Sequence, residues 1–269
     1  MRTKMPPRPT SKAASAPVRV PKMHNVISVA SGKGGVGKTW FSITLAETLA
    51  KRGARVLLFD ADLGLANVDV QLGLTPRRDL GGVLQGRLGL GQAVTPYDDG
   101  GFDILAGRSG TGTLAQIPPP KLAGLGSDLS GLAQEYDHVI LDLGAGIDRV
   151  VRQIACWAGT SLVVTTADPT SLTDAYAYVK VMHQADPEID MRIVVNQADT
   201  KRDGERTFQS LAKACNNFLG FQPQLLGVIR RDRKVADAIR AQTGLLSRHP
   251  SSDAATDVAK AVEVLLEEV

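Results

Sequence analysis

A doubly wound α/β fold, a mainly parallel sheet flanked by helices, is what this 269-residue sequence predicts. Three observations carry that expectation. Short β-branched runs alternate with longer helical patterns. Most of those runs are apolar at every position rather than at every second one. The first run leads directly into a glycine-rich loop and then a helix. The alternation argues for parallel strands joined by helical crossovers, and the continuous apolarity for strands covered on both faces.

The runs read as strands are NVISVA (25–30), RVLLFDA (55–61), FDILA (102–106), HVILDL (138–143), SLVVTTA (161–167), MRIVVNQ (191–197) and LLGVI (225–229). Helical patterns fill 37–52, 119–135, 148–158, 170–185, 203–218 and 233–242. Glycine-rich 81–91 and GRSGTGT (107–113) read as loops, and the prolines at 118–120 open a helix. The final segment, SSDAATDVAKAVEVLLEEV, begins with capping residues and reads as a terminal helix. Its Val258, Ala261, Val262, Leu265 and Leu266 recur at helical spacing, the pattern of a face packed on the sheet. Right-handed crossovers then place the strand carboxyl ends, and the loops after them, along one functional edge.

Composition sets the outer limits. With 43% hydrophobic and 22% charged residues, the chain suits one domain, expected over 25–269. No apolar run approaches the roughly 20 residues of a membrane-spanning helix. Cys156 and Cys215 are too few and too far apart for a disulfide framework, which favours a reducing, cytoplasmic compartment. His24, His138, His183 and His249 show no ligand spacing. The net charge of +3 is unevenly placed: residues 1–22 hold six Lys/Arg and no acid, leaving 25 basic against 28 acidic residues. A tail over 1–24, rich in proline, serine and alanine, is expected to be disordered and lacks the apolar core of a signal peptide. A solvated tail is the simpler expectation; contact with an acidic surface, lipid headgroup or nucleic acid is the alternative.

The chemistry concentrates in SGKGGVGKTW (31–40). Gly32 to Thr39 satisfies G-x-x-x-x-G-K-[ST] between a strand and a helix, the phosphate-loop pattern in its proper context. Gly34, Gly35, Val36 and Gly37 supply inward-pointing N–H groups, Lys38 neutralises β- and γ-phosphates, and the Thr39 hydroxyl reaches Mg²⁺. The expected ligand is therefore ATP with Mg²⁺. Asp142 ends its strand where a magnesium-side carboxylate belongs, and Asp60 is counted with Thr39 and Asp142 in the metal set. A carboxylate at Asp60 or Asp62 can orient the attacking water; Asp62 takes that role here, with a turn or cap as the alternative for either. Trp40 follows directly and is counted with the nucleotide-binding residues, although packing is its simpler role.

A second lysine, Lys33, makes the loop more specific. KGGVGKT resembles the deviant Walker A motif of the MinD/ParA family of ATPases. The resemblance implies that Lys33 reaches across an ATP-sandwiched homodimer to the partner's nucleotide, while Lys38 serves its own. It also implies a Walker B role for Asp142, water positioning by Asp62, adenine contact by Asn196 in VVNQAD, and a nucleotide contact by Asp232. DADLGLANVDVQLGL (60–74), ILDLGAGI (140–147), TTADPTSLTDAYAYVK (165–180) and ILAGRSGTGTLAQI (104–117) look like the flagellar-number regulators FlhG and FleN within that family. The implied partners are flagellar assembly or regulatory proteins, among them the GTPase FlhF, with the inner-membrane surface as a peripheral site.

This sequence departs from the family at several points. The tail lacks the DQAxxLR-type segment associated with FlhF stimulation. Arg230 in GVIRRD stands where a proline is usual, and Trp40 replaces a small or polar residue. The terminal helix carries Glu263, Glu267 and Glu268, which anionic lipid repels, so a packed helix is expected over a membrane anchor. The expected function is an ATP-dependent dimerisation switch with slow hydrolysis, acting on flagellar number or placement. The alternatives are a DNA-partitioning or division-site ATPase, resting on RRDRK (230–234) and the tail, and a metabolic enzyme on the same scaffold. DNA is not expected as a partner: Asp232 interrupts the basic run and the folded part is net acidic.

Overall fold

The computed structural model of the chain describes residues 20–107 and 117–267. The strands are β1 (Met23–Ala30), β2 (Val56–Ala61), β3 (Val94–Tyr97), β4 (Phe102–Leu105), β5 (His138–Leu143), β6 (Ala158–Thr165), β7 (Asp190–Ala198) and β8 (Gln224–Arg230). They form one sheet in the order β3-β4-β2-β5-β1-β6-β7-β8. Each neighbouring pair is parallel except β3 with β4. The helices are α1 (Lys38–Lys51), α2 (Val68–Gln71), α3 (Leu80–Leu84), α4 (Pro119–Leu132), α5 (Arg149–Ala155), α6 (Pro169–Ala185), α7 (Lys201–Leu219), α8 (Arg233–Arg240), α9 (Leu245–Arg248) and α10 (Asp253–Glu267).

The sheet separates two cores, and strand residues alternate between them as the pleat requires. Val26, Leu57, Phe59, Val139, Leu141, Ile193 and Val195 join the side covered by α4 to α7. Ile27, Val29, Leu58, Ile140, Leu162 and Val194 join the side covered by α1, α8, α9 and α10. Both faces are therefore buried, which is why the strands read as unbroken apolar runs. The terminal helix is packed as expected: Ala254, Val258, Ala261, Val262 and Leu265 are all buried. No helix among the described residues is long and apolar enough to cross a membrane.

The structure adds to and corrects the sequence reading. Strand β3 was not expected; it is a short antiparallel edge whose Pro96 is tolerable only at a sheet margin. The region 81–91, read as loop, holds the end of α3. Two glycines obscured that helix; at Gly82 a Cβ would approach the Leu88 side-chain end to 2.9 Å, so the position favours a small residue. The Asp79 side chain caps it by accepting from Gly82 N at 2.8 Å. Strand β1 starts at Met23, so the domain begins inside the tail drawn to residue 24. Lys22, counted among the tail's cations, pairs with Asp186 at 3.1 Å. Residues 1–19 of the tail and 108–113 of the loop lie outside the described residues.

Arg230 is explained by packing. Its guanidinium holds Asp257 through Nε at 2.8 Å and Nη2 at 3.0 Å, and Asp253 through Nη1 at 2.9 Å. Asp257, fully buried at its side chain, also accepts from the Arg230 N–H and pairs with Lys201. The end of β8 is thereby bolted to α10. Replacing Asp257 by alanine is expected to cost about 2 kcal/mol, below the usual loss for a buried pair because Arg230 keeps Asp253 and some solvent. Thermal unfolding should move down by roughly 4–8 °C for a domain of this size; an unchanged midpoint would contradict the clamp.

Candidate functional site

The loop joining β1 to α1 lies at the carboxyl edge of the sheet, where the chain departs to opposite sides of β1 and a crevice opens. Two glycines are there for steric reasons. Gly37 has φ 89°, and a Cβ on it would meet the Asn196 amide nitrogen at 2.4 Å. At Gly32 a Cβ would fall 2.3 Å from the Asp174 backbone, so the start of the loop abuts α6 directly. Asn196 braces the loop: its amide donates to Val36 O at 2.8 Å, while its carbonyl oxygen accepts from Gln197 N. Gln197 takes the left-handed conformation, φ 56°, rare for a residue with a side chain. The side chain expected to meet adenine is thus engaged in shaping the phosphate loop.

Beneath the loop sits a buried charged cluster. Strands β2 and β5 pair in register, Asp60 opposite Asp142. Lys38 Nζ donates to Asp142 Oδ1 at 2.9 Å, and both side chains are almost fully buried. Ser42, one turn beyond Lys38 on α1, donates to the same oxygen at 2.9 Å. The sequence reading missed Ser42; its one available signal was a hydroxyl four residues after Lys38, one helical turn along the same face. Asp142 Oδ2 is buried without a hydrogen-bond partner among the described residues. Such an orphaned acceptor calls for a ligand, and a hydrated divalent cation fits it. With Thr39 half-buried alongside at the start of α1, these residues suit Mg²⁺.

Asp60 organises the adjoining segment. Its Oδ2 accepts from Asn67 N at 2.8 Å and Val68 N at 2.9 Å, and its Oδ1 from Asp62 N at 3.2 Å. It thereby serves as the remote cap of α2, whose own N-cap residue, Asn67, makes no side-chain capping bond. Burial, and then the neighbouring Asp142 charge, push its carboxyl up to about 7. Asp62 Oδ1 accepts from Gly64 N and Leu65 N. It also lies near the loop after β5, 3.4 Å from where a Gly144 Cβ would stand. Asp62 therefore sits between the two loops that flank the phosphate site.

The remaining expected residues separate. Lys33 does not join the cluster: its Nζ lies 2.5 Å from Thr170 Oγ1 and 3.5 Å from Asp168 Oδ1, and its side chain is 42% exposed. Asp168 caps α6, and the Thr170 hydroxyl, the Ser171 N–H and the nearby Lys33 charge hold its carboxyl down at about 2. Trp40 is buried in the core under α1, in the packing role that was its simpler reading. Asp232 has a capping role the sequence reading did not give it: its oxygens accept from Lys234 N at 2.9 Å and Ala254 N at 3.4 Å. In the basic run 230–234, Arg230 is spent on α10 and Arg231 pairs with Asp199, which weakens the case for a DNA-binding strip.

A cavity of about 350 Å³ opens beside the loop, lined by Lys33, Gly35, Thr166, Gln197, Asp199 and Arg231 among others. A larger apolar groove lies elsewhere, between α6 and α7 around Tyr176 and the exposed Phe218. It touches none of the phosphate-site residues.

Residues 27–245 match the model of the CobQ/CobB/MinD/ParA nucleotide-binding domain. The chain is 40% identical over 229 residues to the antiactivator FleN of Pseudomonas aeruginosa, covering 85% of this chain and 81% of that one. It is 32% identical over 215 residues to the flagellum site-determining protein YlxH of Helicobacter pylori, covering 80% and 72%. Among solved structures it resembles the septum site-determining protein MinD of Pyrococcus horikoshii complexed with Mg-ADP. That match has a TM-score of 0.76 and 25% identity, and covers 90% of this chain and 96% of the other.

The raised Asp60 carboxyl gives a pH test. In nucleotide-free protein the folded state keeps a proton that the unfolded chain releases near 3.8, so this stabilisation fades as pH rises toward about 7. Asp60→Asn cannot titrate. The difference in unfolding free energy should therefore shift in the variant's favour between those two pH values and level off above them. Urea unfolding across that range checks it; a pH-independent difference contradicts the assignment.

Proposed function

This chain belongs to the CobQ/CobB/MinD/ParA nucleotide-binding family, and on that premise we propose that it is a slow ATPase working as an ATP-dependent dimerisation switch that limits flagellar number or placement. The observation that carries the reading is the division between the two loop lysines. Lys38 is buried against Asp142, placed for a nucleotide held in its own loop, while Lys33 stays on the rim with its side chain 42% exposed. A lysine in that place is available to a nucleotide held by a second copy.

Exposed apolar side chains support the same reading. Leu65 is 70% exposed and Ile147 41% exposed. They sit on the two loops that follow β2 and β5, beside the phosphate site, where a second subunit would cover them. The flagellar part rests on the names of the relatives FleN and YlxH.

Within the site, Thr39 and Asp142 would hold Mg²⁺, with Asp60 behind them. The bound ion would neutralise the β- and γ-phosphate oxygens as charge develops on them. Lys38 neutralises the same oxygens from inside the subunit. Asp62 orients water for attack on the γ-phosphorus, giving ADP and inorganic phosphate. A lysine delivered from the partner completes the charge balance, so hydrolysis waits on association. Such a group in trans is worth ~10³-fold or more in related phosphoryl transfers. Flagellar assembly or regulatory proteins, including a GTPase of the FlhF type, are the partners this switch would address.

Size-exclusion chromatography with light scattering tests the switch. The parent chain should be monomeric with ADP and dimeric with ATP and Mg²⁺. Lys33→Ala should bind ATP about as tightly yet stay monomeric, whereas Lys38→Ala should lose nucleotide binding. Full dimerisation of Lys33→Ala would overturn the mechanism. Flagella counted on cells lacking the gene test the physiological part; an unchanged count removes it.

A further inference from the structure

We propose that Asp168 and Thr170 form a latch that holds Lys33 within its own subunit and sets the threshold for dimerisation. The proposal rests on the reading of Lys33 as the partner-directed lysine, and it concerns how that residue is restrained beforehand. The contact follows from how the loop meets α6. Gly32 packs on the backbone at Asp174, and Ser31 Oγ donates to Lys33 O at 2.9 Å. Residue 33 is thereby fixed beside the first turn of α6.

The hydrogen bonding at that turn has a definite sense. Thr170 Oγ1 donates its proton to Asp168 Oδ1 at 2.6 Å, which leaves its lone pairs for the Lys33 ammonium. Asp168 Oδ1 also accepts from Thr170 N at 2.9 Å and Ser171 N at 3.2 Å. The same oxygen therefore serves the helix cap and, at 3.5 Å, the lysine. The lysine is its most distant donor. When Lys33 leaves, the cap keeps its backbone bonds and α6 is unaffected, as a reversible catch requires.

Magnitude decides whether such a contact restrains or merely decorates. Lys33 and Asp168 are 42% and 52% exposed, and exposed pairs contribute about 0.2–1 kcal/mol. Each subunit of the dimer releases one such contact, so together they correspond to a shift of roughly 2- to 30-fold in the association constant. A triphosphate presented by a partner carries more negative charge than one carboxylate, so it can take the lysine from Asp168, whereas an unoccupied or diphosphate-loaded partner offers less. The latch is thus weak enough to be released by ATP and strong enough to bias the free chain toward the monomer. The opposite sense, in which the same two residues aim Lys33 at the partner, predicts the reverse effect of removing them.

The test is the monomer–dimer dissociation constant at saturating ATP and Mg²⁺, measured by sedimentation equilibrium. The variants are Asp168→Asn, which keeps a good N-cap while removing the charge, and separately Thr170→Val. Each should lower the dissociation constant by about 2- to 30-fold, since both subunits lose the latch, with thermal unfolding confirming an intact fold and with the ADP forms still monomeric. An unchanged constant overturns the latch, and a raised one shows aiming in its place. If the parent chain dimerises and Lys33→Ala does not, that failure belongs to the latch alone. If the parent does not dimerise with ATP, the underlying switch reading fails and the latch with it.

Discussion

Two carboxylates, Asp60 and Asp142, stand side by side at the ends of adjacent parallel strands, and the Lys38 ammonium pairs with Asp142. The in-register pairing of β2 with β5 makes this juxtaposition unavoidable, and burial makes it costly. Much of the site answers that cost. The glycine loop turns so that Lys38 can enter, Ser42 contributes a hydroxyl to Asp142, and residues 62–68 wrap round Asp60 to give it three backbone donors. What is left over, an acceptor on Asp142 without a partner among the described residues, is where a divalent cation belongs. The segment carrying Asp62 and α2 is folded by the same carboxylate that lies beside the cation position. A change in charge there is consequently felt in the loop that carries Asp62.

The loop lysines divide the labour on this background. The inner one balances charge that the fold itself creates, and it is needed whether or not a partner is present. The outer one balances nothing buried; it rests on a helix cap at the rim. A residue that costs the monomer little to move is suited to a second allegiance. Helix α6, which supplies the cap, abuts the phosphate loop at Gly32 and forms one wall of the apolar groove with α7.

Much of this was legible in the sequence. The seven buried strands are apolar on both faces, so their runs announced themselves, and the phosphate loop is defined by residues that few other structures need in that order. What stayed hidden depends on distant neighbours. The edge strand β3 is four residues long and contains a proline, so periodicity cannot register it. Helix α3 holds two glycines that propensity counts against a helix, and one of them lies against the Leu88 side chain. Asp60 was read as a metal-side carboxylate from its place at a strand end; its hold on α2 requires knowing that residues 67 and 68 fold back over it. Arg230, a departure from the family pattern, has its reason in Asp257, 27 positions away on α10. Trp40 has a place in the core, and nothing in the structure explains why a tryptophan in particular fills it.

The central claim is that Lys33 acts on a nucleotide held by another subunit, and mixing two inactive variants addresses it directly. Lys33→Ala retains a nucleotide site but donates no lysine; Lys38→Ala donates the lysine but holds no nucleotide. Single-turnover ATP hydrolysis is followed for each alone and for the mixture. The account predicts that neither variant hydrolyses ATP by itself and that the mixture recovers activity, because a hybrid dimer contains one complete site. If the mixture stays as inactive as its components while the parent chain turns over, Lys33 serves its own subunit and the account is wrong.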